Sequence, residues 1–142
     1  MSERHPIIAI TGSSGAGTSS VTRTFNNIFR REKLHAAIIE GDSMHRYDRI
    51  EMRAKAVEAE ALGNQHFSHF GAENNLLPEL EHLFKTYGET GTGKRRLYLH
   101  NDEEAAPYKQ PSGTFTPWED IPANTDLLFY EGLHGAVVND EV

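Results

Sequence analysis

The chain has 142 residues, a net charge of −7 at pH 7 and no cysteine. This length predicts a single domain over residues 1–142, and the acidic balance argues against duplex nucleic acid or anionic lipid as a partner. The lack of cysteine excludes disulfide scaffolds and thiolate sites, and without a signal peptide or a run of ~20 apolar residues we expect a cytoplasmic protein.

The first half of the chain predicts a strand, a glycine turn, a helix and a second strand. Residues 7–11 (IIAIT) form a short β-branched run, which we expect to be a strand buried on both faces. A Gly/Ser-rich turn over 12–17, a helix over 18–32 and a strand over 34–40 follow. Such a βαβ unit implies a parallel sheet with a right-handed crossover.

The rest of the chain predicts helices, a long loop and a third strand. The predicted segments are helices over 49–62 and 73–87, a turn over 88–93, a short strand over 96–100, a mostly irregular segment over 102–122 and a strand over 126–131.

The glycine turn has the frame G-x-x-x-x-G-x-[ST] of a phosphate-binding loop. Glycines let successive N–H groups converge on phosphate oxygens, and the helix that follows adds free N–H groups of its own. Ser19 stands where a hydroxyl ligand of Mg²⁺ belongs, whereas Thr18 replaces the usual lysine. Two alternatives are an ordinary helix-capping turn and a dinucleotide-binding turn of the short-chain dehydrogenase kind, although no tyrosine has a lysine four residues on.

Two acidic residues follow predicted strands, at the edge where parallel sheets bind ligands. Asp42 lies just after the second strand and is suited to accept a proton from a hydroxyl that attacks a γ-phosphate. His45, Arg46 and Arg49 follow it and suit an anionic group. Glu131 ends the third strand as a Mg²⁺-binding acid would. Each of these residues also has a plainer interpretation. Asp42 could simply cap a helix, the arginines could lie on a solvated helix face, and Glu131 could merely end a strand.

The remaining histidines lack metal-binding spacing, so we predict no structural metal. His66 and His69 are three residues apart beside aromatics, which favours packing or a loop contact over a zinc site, and His134 lies in a glycine-flanked loop.

With these motifs, the chain resembles the N-terminal part of phosphoribulokinase of the proteobacterial type, a kinase of the phosphoribulokinase/uridine kinase family. The segment over 129–139, together with the one around Asp42, makes the resemblance specific. The matching segments are 5–8 and 11–19, 29–32, 67–70 and 87–91, then 39–42 with 45–46, and finally 129–139.

The resemblance implies a P-loop NTPase-like, three-layer α/β/α fold with a mainly parallel central sheet, incomplete in this chain. It implies transfer of the ATP γ-phosphate to O1 of ribulose 5-phosphate in the Calvin cycle, with Mg²⁺ as the metal, a homo-oligomeric enzyme and NADH as an effector. Asp42 would be the general base, Ser19 and Glu131 would serve Mg²⁺, and His45 and Arg49 would contact the sugar phosphate, with Arg31 and Arg53 as further basic candidates. The implied ATP-binding residues are Gly12, Ser13, Ser14, Gly15, Ala16, Gly17, Thr18, Ser19 and Ser20.

One departure from the family concerns length. Family chains are roughly twice as long, and their second half should supply further strands and a basic lid, whereas no Lys or Arg follows Lys109 here. We therefore expect a partial sequence. The alternatives to an active phosphoribulokinase are a non-catalytic ATP-binding module made by truncation and a uridine kinase-like nucleoside kinase.

Overall fold

The protein is described by a computed structural model that covers residues 4–12, 17–63 and 74–133, with the backbone alone at Thr18 and Ser19. Within these residues, three strands form a parallel sheet, helices cover both of its faces, and two short antiparallel strands form a separate sheet. The helices are α1 (Thr18–Arg31), α2 (Arg49–Ala61), α3 (Leu77–Thr90) and α4 (Asp102–Ala105), and the strands are β1 (Ile7–Thr11), β2 (Ala36–Glu40), β3 (Lys94–Arg95), β4 (Glu119–Asp120) and β5 (Leu127–Gly132).

The central strand of the three-stranded sheet is β5, which pairs in parallel with β1 on one side and with β2 on the other. The first four of its six residues, 127–130, are fully or almost fully buried. In contrast, β1 has no second neighbour among the described strands and is only partly buried, so the expectation that it is buried on both faces is wrong. The strand that is buried on both faces is β5, the last strand of the described residues.

Two apolar cores lie on opposite faces of this sheet. On one face, Phe129 packs against Phe25 and Phe29 of α1, with ring centroids 5.5 Å apart in each pair. On the other face, Tyr130 packs against Phe84 of α3, with ring centroids 5.6 Å apart. Because neighbouring residues of a strand point to opposite faces, this pair of aromatics fills both cores and produces the α/β/α layering.

Several predicted boundaries are wrong, and the errors at the two ends of α3 have local causes. Residues 88–90, predicted as a turn, form the last residues of α3, which ends at Gly91 in a left-handed conformation (φ 72°). The helix starts at Leu77 rather than 73, because Asn75 forms an isolated β-bridge with His45 and Pro78 lies in the first helical turn. Elsewhere, β2 begins at residue 36 instead of 34, α1 ends one residue before 32, and β5 runs from 127 to 132 instead of 126 to 131.

The segment between α3 and β5 is more ordered than the sequence predicts. The strand expected over 96–100 is absent, and the residues before it form the two-residue strand β3, which pairs with β4. Beyond β3 the pairing becomes irregular, with a single bridge between Tyr98 and Phe115. We call residues 93–121 the arm; it includes α4 and a 3₁₀ turn over Ala106–Tyr108. No helix in the described ranges is long and apolar enough to cross a membrane.

The central position of β5 predicts that Phe129 is a major source of stability. Phe129→Ala should lower the free energy of unfolding by about 3–5 kcal/mol, because it leaves a cavity between β5 and α1. Urea denaturation measures the loss, and Phe129→Leu provides a milder variant if the alanine variant does not fold. Val57→Ala, at a position that is 69% exposed, should change the free energy by less than about 0.5 kcal/mol. Equal losses in both alanine variants would contradict the assigned core.

Candidate active site at the carboxyl edge of the sheet

The three parallel strands end together, and hydrogen bonds join their ends. The N–H of Gly12, after β1, donates to the carbonyl of Gly132 at 3.2 Å, and the Thr11 hydroxyl donates to the Leu133 carbonyl at 2.8 Å. After β2, Gly41 approaches β5 so closely that a Cβ on Gly132 would lie 2.8 Å from the Gly41 Cα. Only glycine fits such an approach. The start of the glycine turn and the end of β2 therefore lie beside each other.

The described part of the predicted phosphate loop has the expected frame. Gly17 adopts a left-handed conformation (φ 86°), and α1 begins at the next residue, as the sequence predicts. No side chain caps this helix end, and Ser20 lies exposed in its first turn. Ser13, Ser14, Gly15 and Ala16 lie outside the described residues, as do the side chains of Thr18 and Ser19, and also His66, His69 and His134.

Asp42 lies in the 3₁₀ turn Gly41–Met44 that follows β2, and its carboxylate is held between two histidines. Oδ2 lies 2.9 Å from Nε2 of His100, and Oδ1 lies 3.4 Å from Nε2 of His45. His45 is buried, and its Nδ1 lies 2.9 Å from Oδ1 of Asn75. The histidine contacts, that of His45 first and then that of His100, outweigh partial burial and lower the pKa of Asp42 to about 2. The carboxylate is therefore ionised at neutral pH.

His100 is a site residue that the sequence analysis missed. Its Nδ1 lies 3.0 Å from Oε2 of Glu104, on the side of the ring opposite Asp42. Burial lowers the pKa of His100, but the hydrogen bonds to the two carboxylates raise it above its ordinary value in total. No local sequence pattern predicts a role for His100, because it belongs to the arm and lies 58 positions from Asp42 in the sequence.

Carboxylates crowd this edge of the sheet. Glu131 of β5 is the register partner of Glu40 at the end of β2. Burial is the main cause of the raised pKa of Glu40; the nearby charges of Asp42, Glu104 and Glu131 raise it further, and His100 opposes them. In the described residues, no three potential ligand side chains form a metal-binding group. The edge holds concentrated negative charge that one cation would offset.

The structure places the predicted basic residues unequally. Arg49 begins α2 near the site, where its Nη2 donates to the His100 carbonyl at 2.8 Å. Arg53 is exposed one turn further along α2. Arg31 is the last residue of α1, about 20 Å along the helix axis from the glycine turn, and it forms an exposed ion pair with Glu32. Because α1 runs away from the carboxyl edge, the structure does not bring Arg31 to Asp42.

Arg96 is a second site residue that the sequence analysis missed. Its Nε donates to the Ser43 carbonyl at 2.7 Å, and its Nη2 donates to the His45 carbonyl at 2.6 Å. The guanidinium carbon lies 3.6 Å from the ring centroid of Phe115 and 4.7 Å from that of Trp118. Burial lowers its pKa to about 10, so it remains charged at neutral pH. Arg96 thus ties the turn that carries Asp42 to the arm.

Comparison with known proteins assigns this chain and its fold to a family. The family described as phosphoribulokinase/uridine kinase matches residues 7–142, which is almost the whole chain. The chain belongs to the phosphoribulokinase/uridine kinase family. Family membership favours the phosphate-loop interpretation of the glycine turn over the dinucleotide-binding one, and it confirms the P-loop kinase fold with a mainly parallel sheet.

Individual relatives agree with this assignment. The chain is 70% identical to the chromosomal phosphoribulokinase of Cupriavidus necator and 61% identical to the phosphoribulokinase of Nitrobacter vulgaris, in each case over all of this chain and 49% of the relative. The solved phosphoribulokinase structure from Rhodobacter spheroides superposes with a TM-score of 0.87 at 50% identity, over 99% of this chain and 47% of that one. The chain spans about half the length of the relatives that it matches.

The two histidine contacts predict how the Asp42 carboxyl titrates. In a pH titration followed by ¹³C NMR, Asp42 should titrate near pH 2. His100→Gln should raise its pKa, because a neutral amide stabilises the carboxylate less than an imidazolium does. His82→Gln replaces an exposed histidine on α3 and should leave the Asp42 titration unchanged. The same Asp42 pKa in the His100 and His82 variants would contradict the contact.

The role assigned to Arg96 predicts a specific loss of stability. Arg96→Lys keeps the charge but cannot donate two hydrogen bonds in the fixed geometry of a guanidinium. The free energy of unfolding should fall by about 1–3 kcal/mol, as expected when buried carbonyls lose a charged donor. Urea denaturation measures it, with the exposed Arg23→Lys as the matched control, which should change by less than about 0.5 kcal/mol. A loss no larger than that of the control would refute the role.

Proposed function

We propose that this chain is the ATP-binding and acceptor-binding portion of a kinase that phosphorylates O1 of ribulose 5-phosphate and so produces ribulose 1,5-bisphosphate for the Calvin cycle. The observation that carries the proposal is the Asp42 carboxylate, which is ionised and held by two histidines at the carboxyl edge of a P-loop kinase sheet. Similarity to phosphoribulokinases over the whole chain supports the choice of acceptor.

In the proposed reaction, O1 of the sugar attacks the γ-phosphorus of ATP while the bond to the β-phosphate oxygen breaks. The proton of the O1 hydroxyl passes to the Asp42 carboxylate. A carboxylate with a pKa of about 2 is a weak base. This is sufficient, because phosphoryl transfer has a loose transition state in which the attacking oxygen needs orientation more than early deprotonation. The two histidines fix the direction in which this carboxylate faces.

The phosphates of ATP are assigned to the glycine turn and the first residues of α1. The N–H groups of the free helix end favour anionic oxygens. The assigned residues are Gly12, Ser13, Ser14, Gly15, Ala16, Gly17, Thr18, Ser19 and Ser20.

Mg²⁺ fits the carboxyl edge as the metal of the reaction. It typically binds one or two carboxylates and completes its shell with waters and substrate phosphates, so a cluster of three protein ligands is not required. Glu131 is the proposed carboxylate ligand, and Ser19 is the proposed hydroxyl ligand by its position in the loop. The raised pKa of the neighbouring Glu40 reflects negative charge that a cation would offset. When bound, Mg²⁺ neutralises charge on the phosphates.

The sugar phosphate is assigned to the side of Asp42 where α2 begins. His45 and Arg49 lie there, and Arg53 is exposed one turn further along the helix. We leave Arg31 out of the substrate site because α1 carries it away from this edge. A homo-oligomeric enzyme and NADH as an effector belong to the proposal through the resemblance alone, whereas the cytoplasmic location is supported by the cysteine-free composition.

The chain matches only about half the length of its relatives, and this bears on whether it is active by itself. We propose that residues 1–142 form the N-terminal part of one larger kinase domain, since they cover 49% of the phosphoribulokinases they match. The same observation favours a second candidate function, in which the chain by itself binds ATP without turnover. A uridine kinase-like activity is the remaining alternative, because the family includes uridine kinases.

A chimaera tests the proposal, with this chain in place of the matching half of the Cupriavidus necator enzyme. The chimaera should phosphorylate ribulose 5-phosphate in the presence of Mg-ATP. Asp42→Asn should lower kcat by about 10²–10⁴-fold, the range of general base catalysis, while the Kd for ATP stays the same. Asp120→Asn, at an exposed position in the arm, is the matched control and should keep full activity.

Three outcomes would contradict the proposal in different ways. If the Asp42→Asn variant retains full turnover, Asp42 is not the general base. Preference for uridine over ribulose 5-phosphate favours the nucleoside kinase alternative. If calorimetry shows that the 142-residue chain does not bind Mg-ATP, the ATP-binding module is refuted.

A further inference from the structure

Glu104 lies behind His100, on the side away from Asp42. Its Oε2 accepts two hydrogen bonds from His100, one from the backbone N–H at 2.9 Å and one from Nδ1 of the ring at 3.0 Å. The backbone of Glu104 is fixed in turn, because its N–H donates to Oδ1 of Asn101, the N-cap residue of α4. The carboxylate therefore holds both the main chain and the ring of His100 in one orientation.

We propose that Glu104 is a positioning residue of this site: it holds the His100 ring with Nδ1 toward itself and Nε2 toward Asp42, and so fixes the direction in which the Asp42 carboxylate faces. The inference rests on the proposed function, in which Asp42 is the base. Glu104 acts through His100 and touches neither substrate nor metal.

The hydrogen-bonding capacity of imidazole leads to this inference. Both neighbours of the His100 ring are carboxylates, which only accept hydrogen bonds when ionised. A neutral imidazole has one N–H and can satisfy one of them, whereas an imidazolium satisfies both. Both hydrogen bonds, from Nε2 to Asp42 and from Nδ1 to Glu104, therefore form only when both ring nitrogens of His100 are protonated. Glu104 stabilises the proton on Nδ1.

The charges around His100 support the same conclusion. Among the described residues, acidic groups face it from three elements: Glu40 at the end of β2, Asp42 in the turn that follows, and Glu104 in α4. The other titratable groups nearby are His45, whose ring faces Asp42, Arg49, which donates to the backbone carbonyl of His100, and Tyr98, whose ring packs edge-on against that of His100 with centroids 4.8 Å apart. The acidic majority explains why the pKa of His100 is raised despite partial burial. The pKa of Glu104 is lowered because its carboxylate accepts hydrogen bonds from the backbone N–H and the ring of His100.

The inference predicts how pH acts on the site. The imidazolium is present below the pKa of His100 and is lost as the pH rises through it. Because the carboxylate of Glu104 raises this pKa, its removal should move the loss of the imidazolium to lower pH. The alkaline limb of the activity profile should move in the same direction, since a neutral His100 satisfies only one of its two carboxylate neighbours.

Glu104→Gln tests the inference, with Glu103→Gln as the matched control. Glutamine keeps the size of the side chain and can still accept from Nδ1, but it removes the charge. Glu103 is the exposed acid next to it, and within the described part of the chain its side chain makes no hydrogen bond or ion pair. ¹⁵N NMR of the His100 ring in the 142-residue chain should show a lower pKa in Glu104→Gln and no change in Glu103→Gln.

Kinetics of the chimaera give the second readout. Glu104→Gln should lower kcat on the order of tenfold, as for partners that orient a functional group from behind, with the KM for ATP unchanged. The alkaline limb should move to lower pH, and Glu104→Asp, which retains the charge, should recover part of the loss. If Glu104 had only a structural role, Glu104→Gln would not shift the alkaline limb of the pH profile, and it would not lower kcat while leaving the KM for ATP unchanged.

The inference and the proposed function fail in different experiments. The His100 titration needs no substrate, so an unchanged pKa in Glu104→Gln overturns the inference whatever reaction the enzyme catalyses. A shifted His100 pKa in a chimaera that does not phosphorylate ribulose 5-phosphate would retain the Glu104 contact and refute the proposed function.

Discussion

The parallel pairing of β5 with both β1 and β2 is the constraint on which the rest of the structure depends. Since all three strands run in the same direction, their carboxyl ends meet at one edge, where parallel sheets bind ligands. The glycine turn, the Asp42 turn and Glu131 each follow or end one of these strands. Loss of the central strand would separate the groups that the proposed chemistry needs. Neither of the two strands that pair with β5 is next to it in the order of strands along the chain.

The arm is the second feature on which the site depends, because it contributes side chains that contact the Asp42 turn at the carboxyl edge of the sheet. Arg96 fixes the backbone of the Asp42 turn through two carbonyls, while His100 reaches the Asp42 carboxylate directly. These are contacts to charged groups that are partly removed from water, so each is worth more than its exposed equivalent. The turn that carries Asp42 is therefore held from behind by Arg96 and from the side by His100.

The acids at this edge fall into two electrostatic classes. Asp42 is stabilised as a carboxylate by its two histidines, whereas Glu40 is half-buried among like charges and its proton is harder to remove. Such a division suits the proposed roles, in which Asp42 stays ionised as the base and a cation bound at this edge would offset the charge around Glu40. The separation arises from neighbours: both side chains are carboxylic acids two residues apart in the sequence.

The sequence by itself determined the glycine turn, the strands that flank it, the acids at the strand ends and the family, because these depend on local composition and short spacing. It did not predict that β5 lies between β1 and β2, that residues 88–90 continue α3, or that Arg31 lies at the end of α1 remote from the site. His100, Glu104 and Arg96 were missed for the same reason. Their roles depend on contacts across 51 to 58 residues of chain, or on a neighbour that matters only because of such a contact, and only the tertiary structure brings these groups together.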